Sequence, residues 1–137
     1  DDLIRSGNQH SALDRKTILV VEDISSNYLL ISAMLSKHYN LLHAVNGEQA
    51  VAMVKEYKID LLLMDMKMPV MDGLTATAEI RKFDTNIPIV ALTAHAFESD
   101  KVAALKSGCN DYLVKPVDKA RLMSVLRKYC HPSTLVL

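Results

Sequence analysis

The sequence predicts an α/β fold: one open, five-stranded parallel sheet, doubly wound, with five helices distributed over its two faces. Two observations carry this expectation. Five short apolar runs show no polar alternation, as befits strands covered on both sides. Between them lie segments whose apolar residues recur at helical spacing. Strands and helices that alternate along a chain give a parallel sheet, and right-handed crossovers place helices on both of its faces.

The elements follow in order. Residues 1–16 are polar and lack periodicity, which predicts a linker or tail. The domain is expected to span 17–130, leaving 131–137 as a second tail. The first strand is the run Ile18-Leu19-Val20-Val21, beginning at Thr17 and ending at Glu22-Asp23. Ile31, Met34, Leu35 and His38 then recur at helical spacing. A second strand is expected over Leu41–Val45, and a second helix on Ala50, Met53, Val54 and Tyr57. Asn46-Gly47-Glu48-Gln49 supplies that helix with a capping box, because the side chain of residue 46 can accept from the amide three positions on. Leu61-Leu62-Leu63-Met64, ending at Asp65, is the third strand, and Gly73, Ala76, Thr77 and Ile80 mark the third helix. Ile89–Leu92 is the fourth strand. Glu98–Ser107 has only Val102 and Leu105 among alanines and predicts a short helix, stopped by Gly108. Tyr112–Val114 is the fifth strand, and Leu122, Val125, Leu126 and Tyr129 form the last helical stripe, with Asp118 placed to cap it.

Composition removes several classes of function. At 137 residues and 50% hydrophobic, the chain can bury one core without disulfides or a structural metal. Sixteen basic residues balance sixteen acidic ones, so no overall positive field draws it to nucleic acid or anionic lipid, and neither contact is expected. Cys109 and Cys130 form no CxxC pair and suit a reducing cytosol as inert thiols, so a cytoplasmic location is expected. No run reaches the roughly 20 apolar residues that cross a bilayer. The chain opens on Asp1-Asp2 without a methionine, from which a longer parent, itself able to be membrane-tethered, is expected.

In open parallel sheets, ligands sit outside the carboxyl ends of the strands. Glu22 and Asp23 end the first strand, Asp65 the third, Thr93 the fourth and Lys115 the fifth, so all five should meet on one rim. Three carboxylates together repel one another and raise at least one pKa unless a cation neutralises them. Mg²⁺ suits the position, since it takes oxygen ligands and binds one or two carboxylates together with phosphate. Thr93 offers a hydroxyl and Lys115 an ammonium to phosphoryl oxygens. A metal, an ammonium and a hydroxyl around a carboxylate nucleophile suffice for phosphoryl transfer.

Four blocks carry a resemblance: Val21-Glu22-Asp23, the stretch from Leu63 through Asp65, Lys67 and Pro69 to Gly73, Ala91-Leu92-Thr93-Ala94, and Tyr112-Leu113-Val114-Lys115-Pro116. In order and over Thr17 to Tyr129, they resemble the response-regulator receiver family, a flavodoxin-like fold. The resemblance implies that Asp65 accepts phosphate from phosphohistidine, with Asp23 and Asp65 binding Mg²⁺ directly. Glu22 would act through water and the Lys67 carbonyl would complete the protein ligands. Thr93 and Lys115 would hold phosphoryl oxygens, Tyr112 would be the aromatic switch, and the peptide bond before Pro116 would be cis. Ile24 departs from the Asn common after the acidic pair, while Asn27 matches receivers of hybrid kinases. Lys67 and His95, each two positions beyond a site residue, would flank the attacking water and tune the phosphoryl lifetime. Implied partners are a histidine kinase or its phosphohistidine domain, and a histidine phosphotransfer protein or output domain.

Taken singly, each residue has a plainer reading. A strand-end Asp65 is commonly a turn former, Glu22-Asp23 a solvated loop, Lys115 a surface lysine, Thr93 a cap and Tyr112 core packing. His10, His38, His43 and His131 lack metal spacing and are expected on surfaces, and Met64, Met66, Met68 and Met71 as packing. The constellation favours function. A haloacid-dehalogenase-type phosphatase also uses a strand-end aspartate, but wants a second Asp where Lys67 stands. A pseudo-receiver that binds without turnover is the other alternative. Only Cys130–Leu137 follow Tyr129, which leaves either a domain acting alone or the receiver of a hybrid histidine kinase. The polar tail and the Ala91–Ala96 stretch favour the hybrid.

Overall fold

The computed structural model describes residues 15–131. The expected tails 1–16 and 131–137 therefore lie almost wholly outside the described residues. Within them the chain alternates as anticipated: β1 (Thr17–Val21), α1 (Ser25–Leu35), β2 (Asn40–Ala44), α2 (Gly47–Glu56), β3 (Leu61–Asp65), α3 (Gly73–Arg81), β4 (Ile89–Thr93), α4 (Glu98–Ser107), β5 (Asp111–Val114) and α5 (Lys119–Tyr129).

The five strands form one parallel sheet in the order β2-β1-β3-β4-β5. The central strands are apolar along their middles because successive side chains enter opposite layers, and β3 and β4 turn polar only at their last residues, Asp65 and Thr93. Ile18, Val20, Leu61, Leu63, Val90 and Leu92 pack with α1 and α5. Leu19, Val21, Leu62, Met64, Ile89 and Ala91 pack with α2, α3 and α4. Burying one such side chain stabilises by roughly 1.5–3 kcal/mol, so the two layers, more than the ladder hydrogen bonds, hold the sheet.

Local chemistry sets the helix ends. The Asn46 side chain accepts from the Gln49 amide at 2.8 Å, as the capping box requires, but Gln49 Oε1 accepts from Val45 N–H instead of the cap residue's own amide. Asp118 caps α5 through the Arg121 amide, and Gly108, at φ 116°, ends α4 in the left-handed conformation. Asp72 caps α3 through the Thr75 amide, a cap the spacing of Gly73 and Ala76 did not announce.

Some expectations need correction. β2 lies one residue earlier than Leu41–Val45 because the β1 register begins at Thr17↔Asn40. His38 falls past the end of α1 and Tyr57 past α2, where Tyr57 is exposed. The buried aromatic here is Tyr39, whose hydroxyl donates to the Cys130 carbonyl at 2.7 Å. Val102 and Leu105 point to solvent, and α4 seats instead on Ala104. His43 is half-buried, stacked on Tyr28 with centroids 3.8 Å apart and hydrogen-bonded to the Glu22 carbonyl, so it is not a free surface histidine. His10 lies outside the described residues. No helix among the described residues is long and apolar enough to cross a membrane.

Candidate functional site

The chain winds from β1 out to β2 and then returns to the other side of β1 as β3, so the winding direction reverses between β1 and β3. A crevice opens at such a reversal, outside the carboxyl ends of the strands. The register Val21↔Met64 sets Glu22 and Asp23 beside Asp65, Asp65↔Leu92 sets Asp65 beside Thr93, and Thr93↔Val114 brings Lys115 alongside. All five expected residues thus reach one rim.

One carboxylate oxygen from each of Glu22, Asp23 and Asp65 lies within 4.8 Å of the others. Asp65 and Glu22 are buried and Asp23 half-buried. Lys115 Nζ sits 3.1 Å from Asp65 Oδ2 and 3.2 Å from Glu22 Oε1. The Lys115–Pro116 peptide bond is cis. Glu22 Oε2 accepts from the Ile24 amide at 3.2 Å, whereas Oε1, fully buried, has only the Lys115 ion pair. The Lys67 amide donates to Asp65 Oδ1 at 3.2 Å, which turns that loop toward the acid cluster.

The electrostatics follow from crowding. Burial, and then the charge of Asp65, push the Glu22 carboxyl above its ordinary value, although Lys115 pulls the other way. Burial by itself would lower the Lys115 pKa, but the hydrogen bond and charge of Asp65, with Glu22 behind, outweigh it and hold the ammonium above its usual range. One ammonium is shared by two of three clustered carboxylates. The pocket therefore remains electron-rich and has an under-coordinated buried oxygen, a donor set that fits a small, hard divalent cation.

The remaining expected residues are placed less simply. Thr93 is buried, but its hydroxyl donates to the His95 carbonyl at 2.8 Å. His95 is exposed and stacks on Phe97 with centroids 5.0 Å apart. The Lys67 side chain is exposed. Together with Thr93, Lys67 and His95 border a cavity of about 330 Å³ between the β3–α3 loop and α4. Tyr112 is half-buried on the α4 side of the sheet, with Lys101 Nζ 5.0 Å from its ring centroid. Cys109 and Cys130 are buried thiols, and burial raises both pKa values, that of Cys130 to about 11, which disfavours the reactive thiolate.

Two structural residues of the site escaped the sequence. Val70 takes φ 71°, and the Met71 amide closes onto the Pro69 carbonyl at 2.8 Å, a γ-turn with positive φ. No glycine or asparagine signals it. The turn is tied to α2, since the Gly47 amide donates to the Met71 carbonyl at 3.0 Å, and a Cβ on Gly47 would stand 2.6 Å from that oxygen.

This fold, with its acidic pocket and facing lysine, defines a phosphoryl-accepting signalling module. Residues 18–127 match the response regulator receiver domain, and the chain belongs to that family. It is 41% identical over 119 residues to hybrid signal transduction histidine kinase M of Dictyostelium discoideum, and 41% over 118 residues to sensor histidine kinase GacS of Pseudomonas protegens. These matches cover 81% and 82% of the chain but only 5% and 13% of the two kinases. Among solved structures, it is similar to the receiver domain of sensor histidine kinase PA1611 from Pseudomonas aeruginosa PAO1, which holds a magnesium ion in its active site cleft. That likeness has a TM-score of 0.78 at 40% identity, covering 83% of this chain and 96% of that one. The Saccharomyces cerevisiae Ssk1 receiver domain, solved with the phosphotransfer protein Ypd1, gives 0.82 at 34%, covering 90% and 94%.

Proposed function

We propose that this receiver domain takes a phosphoryl group onto Asp65 from the phosphohistidine of a partner, with Mg²⁺ as cofactor. One observation carries the reading: Asp65 is buried at the end of β3, 3.1 Å from Lys115 and within 4.8 Å of two further carboxylates. An Asp65 carboxylate oxygen attacks phosphorus, the bond from phosphorus to the donor imidazole nitrogen breaks, and an acyl phosphate forms. Asp23, Asp65 and the Lys67 carbonyl are the ligands that would hold Mg²⁺, with Glu22 acting through water. When bound, the ion neutralises charge on the transferred group. Lys115 trades its contact with Asp65 for a phosphoryl oxygen, and Thr93 turns from the His95 carbonyl to another.

Charge-assisted hydrogen bonds are worth about 1.5–3 kcal/mol each. Moving a two-state switch from 1:99 to 99:1 takes about 5.5 kcal/mol. Two such contacts with a metal are enough. As Thr93 withdraws, Tyr112 turns inward and reshapes the face made by α4, β5 and α5. Lys67 and His95 border the route of the hydrolytic water and set the phosphoryl lifetime. Partners of this kind are a histidine kinase and a histidine phosphotransfer protein, as Ypd1 is for Ssk1, and the parent is a hybrid kinase with this domain in the cytoplasm.

Acetyl phosphate with Mg²⁺ tests the central step. Intact-mass measurement should show one added phosphoryl group on the wild type and none on Asp65→Asn. No gain on the wild type, or equal gain on both, would favour a non-phosphorylated binding module. If Lys67→Ala with His95→Ala decays at the wild-type rate, the tuning role is wrong.

A further inference from the structure

The β2 edge of the sheet carries an aromatic pair that phosphoryl transfer does not itself use. β2 is the outer strand beside β1. Leu41 packs in the layer of α1, so by strand alternation His43, two residues on, leans to the same face. There its imidazole lies flat on the Tyr28 ring of α1, with centroids 3.8 Å apart and planes 4° from parallel. The Tyr28 hydroxyl has no hydrogen-bond partner among the described residues, so what Tyr28 offers His43 is the face of its ring.

The imidazole also reaches the acidic site. Its Nε2 lies 2.8 Å from the Glu22 carbonyl oxygen, and since a carbonyl only accepts, the ring donates from Nε2. The register of β1 with β2 ends at Val21↔Ala44, and the Glu22 amide makes one further bond, to the Ala44 carbonyl at 2.9 Å. Beyond that point β2 turns away into the Asn46 cap of α2, and the Val45 amide is taken by Gln49 Oε1. No backbone amide of the described residues donates to the Glu22 carbonyl, so the imidazole stands where the next ladder amide would have been.

That carbonyl belongs to the peptide unit that carries Asp23. The unit is planar, so fixing the Glu22 oxygen fixes the plane in which the Asp23 nitrogen and Cα lie. Asp23 depends on this more than its neighbours do. The Glu22 carboxylate is held by the Ile24 amide and Lys115, and the Asp65 carboxylate by the Lys67 amide and Lys115. The Asp23 carboxylate forms no hydrogen bond or ion pair with any described residue, so its approach to the other two, within 4.8 Å, is set through its backbone.

We infer that Tyr28 and His43 are positioning residues for the Asp23 carboxylate: Tyr28 fixes the plane of the imidazole, and the imidazole fixes the peptide between Glu22 and Asp23. This rests on the reading of Asp23 as a Mg²⁺ ligand under Proposed function. A carboxylate already aimed loses less freedom when a cation arrives, so the pair raises the affinity of the pocket for Mg²⁺.

Calorimetric titration with Mg²⁺ alone tests this, together with thermal unfolding and the imidazole nitrogen-15 spectrum of the metal-free domain. In the wild type, the His43 proton should sit on Nε2. His43→Phe keeps a ring against Tyr28 but removes the donor. It should shift the Asp23 amide resonance, leave the melting temperature nearly unchanged and raise the Mg²⁺ dissociation constant roughly three- to tenfold, the equivalent of one neutral hydrogen bond. His43→Gln, whose side-chain amide can donate from a similar position, should recover most of the lost affinity. Tyr28→Leu keeps bulk but not the flat face, and should weaken Mg²⁺ binding in the same direction by less.

Equal affinity in the wild type and His43→Phe, a fall in melting temperature with no change in affinity, no recovery in His43→Gln, or a wild-type proton on Nδ1 alone overturns the inference. Should His43→Phe fail to fold, the imidazole spectrum and Tyr28→Leu decide it by the same criteria. A wild type that binds Mg²⁺ while the variants bind it equally well sinks this inference alone, whereas a wild type that binds no Mg²⁺ sinks the reading of the pocket.

Discussion

The hydroxyl of Thr93 donates to the carbonyl of His95 at 2.8 Å, so the residue that should meet the phosphoryl group is latched to its own loop. On the proposed mechanism, switching breaks that bond. Thr93→Val removes the donor while keeping the shape. Acetyl phosphate should still label Asp65, about ten- to a hundredfold more slowly, the equivalent of one lost charge-assisted hydrogen bond. The Tyr112 resonances, which should respond in the wild type, should stay still. Thr93→Ser should restore both. A Tyr112 response in Thr93→Val would show that the threonine does not transmit the signal.

Glu22 links stability to pH. Its carboxyl is raised above 4.5 mainly by burial and then by Asp65. A raised carboxyl binds its proton more tightly folded than unfolded, so its contribution is fully present below about pH 4.5 and is lost as pH rises through the higher folded value. Without divalent metal, Glu22→Gln should melt a few degrees above the wild type at neutral pH and show no such gain at pH 4. Added Mg²⁺ should reverse the order at neutral pH, because the ion stabilises the ionised cluster. Differential scanning calorimetry at the two pH values, with and without Mg²⁺, decides this.

Val70 is 77% exposed and holds φ 71°, a conformation a β-branched residue adopts only under strain. Left-handed backbone costs an L-residue about 1–2 kcal/mol, and glycine's extra freedom in the unfolded chain costs about 0.5–1. Val70→Gly should therefore stabilise by about 0.5–1 kcal/mol in urea unfolding. Val70→Pro, whose ring locks φ near −65°, cannot form the turn and should destabilise by more than about 1 kcal/mol. A neutral Val70→Pro would mean the turn is not under backbone control.

Tyr39 joins the start of β2 to the end of α5 through the buried bond from its hydroxyl to the Cys130 carbonyl. Tyr39→Phe leaves that carbonyl without the donor and should cost about 1–2 kcal/mol. Burial, and then the neighbouring Cys130, raise the phenol well above its ordinary 10.0, so its contribution holds below that pH and is lost as pH rises past it. The wild type should lose stability faster than Tyr39→Phe above pH 10, a difference that denaturant titrations would reveal.

Much of this domain was legible in local pattern. The unbroken apolar runs at Leu19–Val21 and Leu61–Met64 announced strands covered on both faces, and Asn46, Asp118 and Gly108 announced helix ends, because side-chain period and capping act over a few residues. The rim residues Glu22, Asp23, Asp65, Thr93 and Lys115 were legible as well, since a parallel sheet carries every strand end to the same side.

Other features depend on neighbours far along the chain. The sharing of Lys115 between Asp65 and Glu22, the latch of Thr93 onto His95, the rest of Lys101 against Tyr112 and the strained turn at Val70 have no local signal. Nor does the exposure of Val102 and Leu105, whose spacing pointed inward until Ala104 was found to seat α4. Periodicity is inherited from bond geometry, whereas which polar groups meet, and which are left uncompensated, follows from the register Val21↔Met64 and Thr93↔Val114 that packing alone establishes.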